Sequence, residues 1–223
     1  MQGALLGQKF NPYHDKLGKF ASGGGGGAGE YKEFPDPIKL ANLDDPEAYD
    51  KLSEDLEDKL TTTDFKATLP GTADALSLYT SYGFEPMNDN LRGKPLRAKT
   101  DFYTKDEAKE AISEIPKIDS LLANSHINQN VVVFRGVKGD AAKNVKAAAE
   151  GSLFQDKGYV STSISKTIAS GHGTTFKIRV AKGANAYFER AGFTGDEWEL
   201  ILPKNAVFKK IGPKELEYVG VGE

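Results

Sequence analysis

The hydrophobic pattern changes period near residue 130, and that change limits the folds open to this chain of 223 residues. Before it, apolar residues recur at helical spacing. "LDDPEAYDKLSEDLEDKL" (43–60) places Tyr49, Leu52, Leu56 and Leu60 on one stripe, with Asp45 as cap and Pro46 at the first helical position. "GTADALSLYTSYGF" (71–84) predicts a second helix, capped by Thr72 and stopped by Gly83. "YTKDEAKEAISEI" (103–115) opens with a capping box, Thr104 to Glu107. Pro116 then breaks or bends it, and "KIDSLLANS" continues helically. After residue 130 the runs are short, β-branched and punctuated by Gly, Asn and Pro: "VVVFRGV", "KGYVSTSIS", "TTFKIRVA", "NAYFE", "EWELIL" and "AVFKKIG". One short helix, "AAKNVKAAAEG", interrupts them. Helices first and strands second predict an α+β class, with helices packed on a mainly antiparallel sheet.

Residues 1–34 differ from the rest. They hold five successive glycines, Gly23 to Gly27, which have high backbone entropy and nothing to pack. A phosphate-cradling loop would need a preceding strand and a following helix opening with Lys-Ser/Thr, and neither is there. Residues 1–34 are therefore expected to be a flexible segment, and 35–223 a catalytic domain. Net charge is -3 and no basic excess argues for nucleic-acid binding. The chain has no cysteine, which excludes a disulfide framework and thiolate chemistry. Its three histidines, His14, His126 and His172, lie far apart, so no metal site is expected. No apolar run approaches the about 18 residues of a membrane span. The start, "MQGALLGQKF", has too short an apolar stretch for a signal-peptide core, so neither membrane insertion nor Sec-type export is expected.

Three polar groups sit on the predicted strands. Glu197 and Glu199 in "FTGDEWELILPKN" (193–205) share a strand face by period-two alternation. Trp198, Leu200 and Leu202 take the other face, and Ile201 follows the glutamates. Like charges so placed raise each other's pKa unless something compensates. Arg135 closes an apolar run just before a glycine, which suits a guanidinium fork aimed at phosphate or carboxylate. Ser161, Thr162 and Ser163 stand in a row, and a hydroxyl can fix the direction of a nearby carboxylate. With no histidine near them in sequence, a Ser-His-Asp triad has little support. Taken singly, each reads more readily as an ordinary strand-edge residue than as a functional one.

The ordered combination of Arg, Ser-Thr-Ser and Glu-x-Glu on successive strands resembles the toxin-like mono-ADP-ribosyltransferases. The likeness is to clostridial binary-toxin enzymatic components and Rho-modifying exoenzymes, and it runs over roughly residues 70–212. It includes "LYTSYGFEPMNDNLRG", "NVVVFRG", "DKGYVSTS" and "GFTGDEWELILP". The resemblance implies that fold, with N-terminal helices on a two-sheet β core, and NAD as donor of ADP-ribose with no metal. It implies Glu199 as the catalytic glutamate, Glu197 as the group that orients the acceptor and takes its proton, Arg135 on the NAD phosphate, and Ser161 fixing Glu199. Tyr79 and Asn88 would line the NAD cleft, Arg92 would add a phosphate contact, and Thr162 and Ser163 would be structural or brush the nicotinamide pocket. Phe193 would recognise the acceptor. A glutamate at 197 resembles the members that modify arginine, so a host protein acceptor is expected, modified in the host cytoplasm.

The sequence departs from the family in "ISKTIASGHG" (164–173), where an aromatic and an arginine are usual and only His172 and Lys166 stand. Two other readings remain: an NAD glycohydrolase with water as acceptor, and an inactive virion-associated module. The second draws on "NPYHDKLGKFASG" (11–23), which resembles a short segment of phage head-morphogenesis and related virion proteins. A glycoside hydrolase is disfavoured, because its carboxylates flank the scissile bond from separate elements.

Overall fold

The computed structural model describes residues 29–42, 46–57, 59–96, 102–192 and 195–222. The glycine run, the virion-like segment, Asp45 and the Tyr49 side chain lie outside them.

The expected helices form, with two corrections at their ends. Helices α1 (Pro37–Asn42) and α2 (Pro46–Glu57) come first. Leu52, Leu56 and Leu60 of the predicted stripe are buried. Helix α3 (Thr72–Leu78) does not stop at Gly83; it passes through one π-helical turn, Tyr79–Gly83, into α4 (Phe84–Leu91). Gly83 keeps a helical φ of -66°. A Cβ there would sit 2.7 Å from the Leu78 carbonyl oxygen, so the wide turn closes only around a glycine. Thr72 is the first helical residue rather than the cap, and its hydroxyl donates back to the Leu69 carbonyl. The Thr104–Glu107 capping box is present at α5 (Lys105–Ser113). Glu114 separates α5 from α6 (Ile115–Ala123), and Pro116 sits in the first turn of α6, where its missing N–H removes no hydrogen bond.

A two-stranded ladder pairs β1 (Thr61–Thr63) with β2 (Ser125–Ile127). The remaining strands are β3 (Val131–Val137), β4 (Leu153–Asp156), β5 (Val160–Ser163), β6 (Thr174–Val180), β7 (Tyr187–Gly192), β8 (Gly195–Leu202), β9 (Ala206–Gly212) and β10 (Glu215–Val221). Helix α7 (Gly139–Ala147) follows β3, and α8 (Lys166–Gly171) follows β5. The order β4-β9-β10-β6-β3-β5-β8-β7 is antiparallel except between β10 and β6. The expected two sheets are halves of five and three strands, joined by a single registered pair, Phe134 with Ser163.

The three-strand half is covered on both faces. Trp198, Leu200 and Leu202 enter the larger core with Val131, Val133 and Phe176. Ile201 faces the other way, into a second cluster with Tyr79, Tyr159 and apolar residues of α3 and α6. The α3 and α6 layer thus lies on the sheet face that carries Glu199, which is what turns a strand into one wall of a site.

The chain preceding α1 is tied to the sheet. Lys32 bridges Val131 in parallel, and Phe34 is buried. Asp36 accepts from the Ser165 hydroxyl at 2.6 Å and from the Thr167 N–H at 2.9 Å, at the start of α8.

Candidate active site

Arg135, on β3, stands next to a glycine for a steric reason. A Cβ at Gly136 would lie 2.2 Å from the Ala169 carbonyl oxygen of α8, so only glycine lets that helix cross the strand. The Arg135 guanidinium donates to the Ser161 carbonyl and to Asp156, both at 3.3 Å. Burial pulls its pKa below the ordinary value, with the Asp156 charge opposing.

The register of β5 on β8 sorts the hydroxyls. Ser163 pairs with Glu199, Thr162 with Leu200 and Ser161 with Ile201, so Ser161 and Ser163 share the Glu199 face. Ser161 hydrogen-bonds the Glu199 carboxylate, and its hydroxyl lies 3.1 Å from the Tyr79 hydroxyl. Thr162 points into the core and donates to the Leu200 carbonyl at 2.7 Å. Ser163 donates to the Glu197 carbonyl at 2.9 Å, bracing the neighbouring strand.

That brace falls on a bulge. Glu189 pairs with Glu199 and Ala191 with Asp196, so β8 carries one residue more than β7 across this interval. Trp198 adopts φ of 51°, a left-handed value that is strained for a bulky side chain. The indole is wholly buried, and its packing holds the strained backbone in place. The alternation inferred from sequence holds from Trp198 to Leu202, and the bulge falls just before it, between Asp196 and Glu199.

Glu199 is 8% exposed, and its pKa is pushed up to about 7. Burial is the largest cause; Glu197 and Glu189 add repulsion, while Ser161 and Arg135 favour the charged form. Glu197 is more open to solvent. Together they form a dry carboxylate with a wetter one at its edge.

Behind these groups stands the α3–α4 layer. Tyr79 is fully buried, and burial raises its pKa. Its ring meets Tyr159 edge-on at 5.6 Å. Asn88 is also buried; its side-chain oxygen accepts from the Tyr159 N–H at 2.6 Å, and it hydrogen-bonds the Tyr79 hydroxyl. Arg92, just beyond α4, grips Asp156 through Nε at 2.9 Å and Nη2 at 3.0 Å.

The structure therefore brings together Glu199, Glu197, Ser161, Arg135, Tyr79, Asn88 and Arg92. Lys166 and His172 are exposed at the two ends of α8, a helix formed where a loop was expected after Ser163. Phe193 lies outside the described residues. Two acidic residues join the site unforeseen, Asp156 and Glu189. Asp156 could have been found, since "DKG" reads as an Asx turn, and the Gly158 N–H does donate to its carboxylate at 3.0 Å. Glu189 could not, because only the β7–β8 register sets it beside Glu199. Glu189 also lines a cleft of about 400 Å³ with Thr72, Leu76, Thr80 and Tyr187. Among the described residues, no cluster of His, Cys, Asp and Glu could hold a metal, and no helix is long and apolar enough to cross a membrane.

A family model described as ADP-ribosyltransferase exoenzyme matches residues 47–215. A search of curated proteins finds no match. Among solved structures, Plx2a, an ADP-ribosyltransferase toxin from Paenibacillus larvae, superposes with a TM-score of 0.56 at 20% identity, over 86% of this chain and 100% of that one. The Clostridium limosum C3 exoenzyme gives 0.51 at 18% identity, over 86% and 96%. C3stau2 from S. aureus, solved with NAD, gives 0.54 at 14% identity, over 85% and 97%. At these identities the superpositions speak to the fold. The family match covers most of the chain and includes Arg135, the Ser161–Ser163 row and the Glu197–Glu199 pair: this chain belongs to the ADP-ribosyltransferase exoenzyme family, whose members move ADP-ribose from NAD.

Proposed function

We propose that the protein is a mono-ADP-ribosyltransferase that modifies arginine on a host protein. The observation that carries this is the pairing of a buried carboxylate, Glu199, with a more accessible one, Glu197, beside the Arg135–Ser161 frame.

The bond between the ribose C1′ and the nicotinamide nitrogen breaks, and its electron pair leaves with neutral nicotinamide. Positive charge remains on the ribose, as in glycoside cleavage. Glu199, held in a low-dielectric wall, stabilises that charge at close range. A cationic nicotinamide ribose beside it counters the rise in its pKa and favours the ionised form. A guanidinium suits Glu197, because carboxylate and guanidinium pair through parallel hydrogen bonds. A guanidino nitrogen then attacks C1′, and Glu197 takes the proton it loses. Arg135 and Arg92 hold the two phosphates, Ser161 aims Glu199, and Tyr79 and Asn88 brace Ser161 from behind. Thr162 and Ser163 fix β8 and its bulge. Phe193 recognises the acceptor.

Water in place of guanidine would make the same site an NAD glycohydrolase. The wetter position of Glu197 is what keeps that second reading open to test. We place the acceptor in a host cytoplasm, reached with a virion, on the likeness of residues 11–23 to virion proteins.

The test is nicotinamide release from NAD, with and without agmatine as guanidino acceptor, by wild type and Glu199→Ala. Release that rises with agmatine and disappears in the variant supports the proposal. Release indifferent to agmatine favours hydrolysis, and no release by wild type refutes both.

A further inference from the structure

We propose that Asp156 is a positioning residue for the phosphate grip: it sets the directions of the Arg92 and Arg135 forks before NAD arrives. This rests on the NAD reading above.

Asp156 ends β4, a strand the sequence pattern did not reveal, and precedes the tight turn into β5. Its carboxylate accepts from Arg92 Nε at 2.9 Å and Nη2 at 3.0 Å. It also accepts from Arg135 Nη2 at 3.3 Å and from the Gly158 N–H at 3.0 Å. The two arginines come from separate elements, one beyond α4 and one on β3. They repel each other, and each must turn donors toward the same dinucleotide. One carboxylate between them offsets the repulsion and fixes both planes. Bidentate pairing is what gives a guanidinium a defined orientation.

The side chains of Arg92, Arg135 and Asp156 are each about one quarter exposed, at 28%, 24% and 25%, so the cluster is neither sealed in the core nor free on the surface. Two guanidiniums against one carboxylate leave one positive charge in excess. Each arginine makes two of these hydrogen bonds from a fork of about five N–H groups, so donors remain for a ligand. The excess charge suits a pyrophosphate. The same Arg135 donates to the Ser161 carbonyl, which ties this grip to the residue that hydrogen-bonds Glu199. The turn is built to keep the cluster tight. A Cβ on Gly158 would come within 2.6 Å of Asn88 Oδ1 and 2.9 Å of the Arg92 guanidinium carbon.

Simple electrostatics and orientation make opposite predictions. Removing a negative charge near an anion site should tighten phosphate binding. Losing the pre-set geometry should weaken it, because donors must then be ordered at the moment of binding. The proposal is that orientation dominates.

The test is calorimetric titration of wild type and Asp156→Asn with ADP-ribose, which carries both phosphates, and separately with nicotinamide, which carries none. The expected result is ADP-ribose binding weakened about tenfold or more, with nicotinamide binding unchanged. Equal ADP-ribose affinity, or equal loss for both ligands, makes Asp156 merely structural and overturns the proposal. Tighter ADP-ribose binding overturns it in favour of a carboxylate that competes with phosphate. If D156N fails to fold, Asp156→Glu keeps the charge but displaces it by one methylene. It should weaken ADP-ribose binding alone, and unchanged affinity overturns the proposal. A wild type that binds no ADP-ribose overturns the NAD reading, and this inference with it. A wild type that binds, beside a variant that binds equally, overturns only the inference.

Discussion

Replacing Glu199 with glutamine removes a charge that the fold holds out of water, while keeping nearly the same shape. The carboxyl moves from an ordinary pKa of 4.5 to about 7 on folding. At about 1.4 kcal/mol per pH unit, ionising it costs the folded state about 3 kcal/mol. The sign follows from proton counting. Between these two values the native protein binds more protons than the unfolded chain, so stability falls as pH rises. The favourable state is fully present below 4.5, fades through the interval and is gone above about 7. Other groups titrate too, but wild type and variant share them, so the difference between the two isolates this carboxyl. E199Q should therefore melt above wild type at pH 8, by roughly 6–12 °C for a chain of this size. At pH 4 the two should melt within about 2 °C of each other. Thermal melts followed by circular dichroism over pH 4–8 give the whole curve. A difference that does not change with pH would refute the reasoning, and so would a variant less stable than wild type at pH 8. The same substitution should abolish nicotinamide release, so the stability gained is stability that the site gives up for chemistry.

The same ionisation should govern the rate: kcat/KM for nicotinamide release by wild type, measured at subsaturating NAD, should climb about tenfold per pH unit from acid pH and flatten near neutrality, read from a pH–rate profile. Gly158→Ala should push Asn88 and Arg92 off the β4–β5 turn, costing about 1–3 kcal/mol in a denaturant melt, because a Cβ there would meet Asn88 at 2.6 Å. Thr104→Ala should cost about 1 kcal/mol by the same melt while leaving nicotinamide release unchanged, since the capping box it breaks joins Thr104 to Glu107 at the exposed start of α5.

Local chemistry made much of this protein legible. The Thr104–Glu107 box, the Pro116 break and the β-branched run ending at Arg135 are signals carried by a few adjacent residues, and each element formed where its signal stood. Strands β4 and β10 carry weaker patterns, with fewer strong strand formers in "LFQD" and alternating glutamates in "ELEYVGV", so they emerge only through their partners. Gly83 shows the reverse case. A glycine after a helical run reads as a stop, yet here it is the residue that lets a wide turn continue, and only the Leu78 carbonyl packed against it decides which.

The site divides along the same line. Arg135, the hydroxyl row and the glutamate pair could be named from sequence because their types and order carry the chemistry. Their energetics could not. The raised pKa of Glu199 comes chiefly from burial under the α3 and α6 layer, the strain at Trp198 from one unmatched residue between β7 and β8, and the grouping of Arg92, Asp156 and Arg135 from three segments distant in sequence. Sequence alone determined which groups this protein can use. Tertiary structure decided how dry they are, what they face and which charges they share, because dielectric, register and distance are properties of packing and not of any one stretch of chain.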